Sequence, residues 1–118
     1  MSRARELRAL AAWAVEHPAL ATTDVFDDTL AVAEFALEKL KVRQGDAGRT
    51  RGQRADDRDK LRQLAKLARR LNQACAALAL APESDYARSL YKKSLSQLYA
   101  VAHEVIAQPR REGKHRAA

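Results

Sequence analysis

The chain has 118 residues, 47% of them hydrophobic but only 5% aromatic, with one cysteine and a formal net charge of +7. That size supports one core and not two, and a single thiol excludes an intrachain disulfide framework. An alanine- and leucine-rich, aromatic-poor composition packs closely spaced helices and supplies little material to line a deep ligand pocket.

Four helical stretches follow one another with no competing strand pattern. The first is predicted from about Arg3 to His17, with Ser2 as N-cap and Pro18 as the stop. Its apolar run, Leu10 to Val15, is cut off by Glu16 and His17 and is too short for a signal-peptide core or a membrane span. A cytoplasmic location is the resulting expectation. The second helix opens at Asp24 after Thr22 and Thr23 and ends near Arg43, with acidic residues in its first turn and Lys39 and Lys41 near its end. Phe26, Leu30, Ala33, Leu37 and Leu40 step by four and three, the spacing of a buried seam.

Residues 44–53 contain Gly45, Gly48 and Gly52 with Arg49 and Arg51 and no large apolar residue, so a flexible basic loop is expected there. A third helix, the longest, is predicted from about Arg54 to Leu80. Pro82 ends it, and Glu83, Ser84 and Asp85 open a fourth that runs to about Gln108. Residues 109–118 form an expected disordered basic tail after a single bundle domain spanning 1–108. The fold class predicted is therefore all-α, a four-helix antiparallel bundle.

The charge is local. Lys41 to Arg70 holds eleven cations and four carboxylates; residues 1–40 hold four and seven, and residues 71–118 seven and four, so the two ends cancel. Within the third helix Leu61, Leu64, Ala68, Leu71, Cys75 and Leu78 recur at a core spacing. Arg58, Arg62, Lys66, Arg69 and Gln73 fall on the opposite side, a cationic stripe about 16 Å long from Arg58 to Arg69. Like charges four residues apart cost roughly 0.2–0.5 kcal/mol per pair, a cost that a bound polyanion would offset. On the fourth helix Tyr91, Leu95, Leu98, Ala102 and Val105 form the seam, while Arg88, Lys92, Ser96, Tyr99 and His103 share another face. Tyr99 is read as a cap on the core with its hydroxyl in water rather than as a base-stacking platform.

No enzyme site can be assembled. His17, His103 and His115 show no ligand spacing, Cys75 has no second thiol and sits in a seam, and no phosphate-binding glycine motif follows a strand. Neither a metal nor a cofactor is expected. Arg110 and His115 have the Arg-x4-His spacing of HEPN ribonucleases, but Pro109 and Gly113 bracket them in the expected tail.

In its short, basic, aromatic-poor helical architecture with one cationic helix face, the chain resembles the small subunits of CRISPR effector complexes over residues 1–108. That resemblance implies a non-enzymatic, antiviral-defence role in a ribonucleoprotein, with Arg58, Arg62, Lys66 and Arg69 touching RNA or DNA backbone. Residues 68–78, Ala-Arg-Arg-Leu-Asn-Gln-Ala-Cys-Ala-Ala-Leu, are similar to a helix of plasmid mobilisation accessory proteins, which implies DNA binding beside a relaxase. From the residues themselves, the expected function is sequence-nonspecific binding of RNA or DNA backbone through Arg58, Arg62, Lys66, Arg69, Arg49, Arg51, Arg54, Arg88 and Lys92. The expected partners are nucleic acid, protein subunits of a complex and further copies of the chain. A helical module docking an acidic protein is the alternative.

Overall fold

The computed structural model describes residues 2–21 and 24–107. The expected tail, with Arg110 and His115, lies outside them, as do Thr22, Thr23 and the Ser2 side chain. Four helices make up the fold: α1 (Ser2–Glu16), α2 (Asp24–Gln44), α3 (Arg51–Leu80) and α4 (Asp85–Ala107). Their order and periodicity follow the sequence reading, and among the described residues there is no strand.

The seams meet in one core. Leu10, Phe26, Leu40, Leu71, Leu98 and Val105 are fully buried, with Leu61, Leu64, Ala68, Cys75 and Leu78 from α3 beside them. Trp13 closes one end of the bundle, tilted against Phe26 and Tyr91 at ring separations of 6.0 and 6.2 Å, and stacks on His17 at 5.0 Å. A void of about 10 Å³ lies between Leu7, Ala33, Leu37, Leu64, Ala68 and Leu98, no larger than a single water requires.

Consecutive helices alternate in direction. Trp13 late in α1 meets Phe26 early in α2, and Lys60 early in α3 reaches Glu104 late in α4 at 3.2 Å. The most extensive packing, however, includes α2 against α4 as well as α3 against α4. Phe26 stacks on Tyr91 near the start of both α2 and α4, and Arg43 donates to the Val105 carbonyl near both ends, so these two helices run parallel. The antiparallel bundle thus contains a parallel α2–α4 pair. The result is flat and elongated, 51 × 31 × 19 Å.

Cys75 is buried in that core, and desolvation pushes its thiol up from an ordinary value of 9.0 to about 12. Two consequences follow. In the native protein at pH 8 a disulfide reagent should label Cys75 only on unfolding, at a rate that rises with denaturant. Stability should also fall as pH climbs from about 9 toward 12, because the unfolded thiol ionises there while the native one stays protonated. Rapid stoichiometric labelling of folded protein would contradict the first.

Candidate nucleic-acid interface

The loop expected at residues 44–53 is shorter in the structure, where residues 45–50 lie between α2 and α3. α3 starts at Arg51, not Arg54, because Thr50 caps it: its hydroxyl accepts from the Gln53 amide at 3.1 Å, and the Gln53 side chain accepts from the Thr50 amide at 2.9 Å. This reciprocal capping box is written in the sequence as Thr50-Arg-Gly-Gln53. The remaining loop is tied down. Asp46 accepts from the Gly48 amide at 2.9 Å, and Arg54 donates to the carbonyls of Gln44 and Asp46 at 3.4 and 2.9 Å.

Asp57 organises the rest. Only 6% of its side chain is exposed, and one Arg49 nitrogen donates to both its oxygens, at 2.9 and 2.7 Å. Arg43 lies 3.6 Å from the same carboxylate while donating to the Val105 carbonyl at 3.2 Å. One buried acid therefore joins the end of α2, the α2–α3 loop, α3 and the end of α4. The seam itself pointed to it: four residues before Leu61 and seven before Leu64, position 57 falls on the core face. Arg49, expected to be a free loop cation, turns its donors inward to Asp57, and Arg54, expected at the start of the third helix, spends its donors on the loop carbonyls.

The α3 stripe is built as its spacing predicts. Arg58, Arg62, Lys66, Arg69 and Gln73 are all exposed, above a floor of Leu61, Leu64, Ala68, Leu71 and Leu78 that is 5% exposed or less. Starting the helix at Arg51 lengthens the stripe: Arg51 and Arg69 are 18 residues apart, five full turns, so they share one direction about 27 Å apart. α3 has no acidic residue in its first turn, so the positive end of its macrodipole reinforces Arg51. A methyl group placed on Gly52 in that turn would meet nothing within 4 Å; packing does not demand glycine here, and the backbone is left uncovered.

Two carboxylates approach the stripe. Asp59 lies 3.9 Å from Arg62, and Glu6 of α1 lies 3.8 Å from Arg69. Glu6 is held there by Asn72, which donates to both its carbonyl and its carboxylate. Yet Arg62 and Arg69 stay 68% and 59% exposed, and pairs of that kind are worth about 0–1 kcal/mol, so both guanidiniums can exchange partners cheaply. Arg58 and Lys66 have no carboxylate within 4.0 Å among the described residues.

Arg88 and Lys92 do not extend this surface. On α4 the edge toward α3 is marked by Glu104, paired with Lys60, and the directions of Arg88 and Lys92 differ from it by about 160° and 120°. They share their face with Tyr99, 40% exposed and stacked on His103 at 5.8 Å, and Arg88 is paired with Asp85 at 3.1 Å.

No family model, curated protein or solved structure matches the chain. Among the described residues no three histidine, cysteine, aspartate or glutamate side chains gather to hold a metal ion, and no helix is long and apolar enough to cross a membrane. What α3 presents is a cationic ridge: Arg51, Arg58, Arg62, Lys66 and Arg69 fixed in line on a packed helix.

Proposed function

We propose that this chain binds nucleic-acid backbone without reading sequence, as a non-enzymatic subunit of a larger nucleoprotein assembly. The observation that carries the reading is the α3 row itself: five exposed cations of one direction on a helix whose opposite face is locked in the core. Such a row meets phosphates and has few groups suited to base edges, since guanidinium and ammonium contacts to the backbone fix position rather than sequence. The chemistry is what the CRISPR small-subunit resemblance implies, and equally what a mobilisation accessory protein would need.

Protein neighbours are supported by α2. Phe35 and Val42, one heptad apart on its outer side, are 53% and 67% exposed, and exposed apolar groups in register on a helix suit a docking contact.

Protein purified at low salt without nuclease is expected to carry RNA or DNA, seen as an absorbance ratio at 260 to 280 nm far above that of the polypeptide. Nuclease or high salt should strip it. A complex that survives nuclease and holds an acidic protein instead would replace this reading with the docking of an acidic partner.

A further inference from the structure

Resting on the backbone-binding reading, we infer that the α3 ridge takes double-stranded nucleic acid in preference to single strands. Proteins that hold single strands without sequence preference combine cations with aromatic platforms on which the exposed bases stack, and that stacking supplies much of the affinity. α3 has no such platform: from Arg51 to Leu80 it contains no phenylalanine, tyrosine, tryptophan or histidine. The exposed aromatics Phe35, Tyr86 and Tyr99 belong to α2 and α4. Trp13 is packed against Phe26 and Tyr91 at the bundle end. A single strand on the ridge would have phosphates engaged and bases unsupported.

A duplex removes that deficit. Its bases already stack on one another, its phosphates are more closely spaced along the axis than those of either strand alone, and it is stiff over about 150 base pairs. A stiff cation row and a stiff phosphate array lose little freedom on meeting, whereas a flexible strand must be ordered along the ridge. The row from Arg51 to Arg69, about 27 Å, spans about eight base pairs of rise. α1 meets the later part of the row, at Arg69 and Asn72 through Glu6, while Asp57 and Lys60, on the side of α3 away from the row, are reached from α2, the loop and α4.

The test is fluorescence anisotropy of the full chain at one near-physiological salt concentration. The probes are duplexes of about 20 base pairs in DNA and in RNA, both longer than the ridge, and oligo(dT) of the same length. At least one duplex should bind about tenfold or more tighter than oligo(dT), and the two duplex arms tell whether DNA or RNA is the better ligand. Oligo(dT) binding as tightly as both duplexes overturns the duplex inference and leaves backbone binding standing. Failure of all three probes overturns both.

Discussion

Asp57→Ala is expected to destabilise the protein by about 3–5 kcal/mol, the cost of leaving buried cations without their counter-charge. Arg49 and Arg43 both converge on this carboxylate, at 2.7 and 3.6 Å, and their side chains are only 14% and 11% exposed. Neither can turn to water without opening the corner where α2, the loop, α3 and α4 meet. In a domain of this size the loss corresponds to a drop in Tm of more than about 10 °C, readable by thermal CD. Replacing all three charges together, Arg43→Met, Arg49→Met and Asp57→Leu, should cost far less, because the desolvation problem disappears with the charges. Below its melting transition Asp57→Ala should still bind nucleic acid, since the stripe is untouched. A change in Tm of under about 2 °C would show that the triad does not hold the corner.

The second large effect is expected from the stripe. Arg58→Glu, Arg62→Glu and Lys66→Glu, combined with Arg69→Gln to spare Glu6 a new repulsion, should weaken nucleic-acid binding by at least about 100-fold. The helical CD signal should be unchanged, because all four side chains are exposed and glutamate and glutamine are good helix formers. Arg88→Glu with Lys92→Glu, on the separate face of α4, is the control and should reduce affinity only slightly. If the control lost as much as the stripe variant, net charge and not the α3 ridge would govern binding.

The helices, their seams and the direction of the stripe were legible in the sequence because each is a periodic property of neighbouring residues. Phe26, Leu30, Ala33 and Leu40 fall in one line at four- and three-residue steps, and all are buried. The corner at residues 43–57 was obscured for the opposite reason. Its glycines and arginines resemble a solvated loop, and only the partners supplied by the fold, Asp57 and the Val105 carbonyl, turn Arg43 and Arg49 inward. Two local signals were nevertheless present, the Thr50–Gln53 capping box and the place of Asp57 on the core face of α3. The pairing of Glu6 with Arg69, 63 positions apart, has no local signature at all, and neither does the parallel packing of α2 on α4.

The salt dependence of duplex binding tests the central claim most directly. If Arg51, Arg58, Arg62, Lys66 and Arg69 each neutralise one phosphate, the logarithm of the association constant should fall against the logarithm of salt with a slope of about −4 to −5. The stripe variant, which keeps only Arg51 of the five, should leave a slope no steeper than about −1. A wild-type affinity that hardly changes with salt, or a slope that survives loss of the four cations, would contradict a backbone-binding ridge on α3.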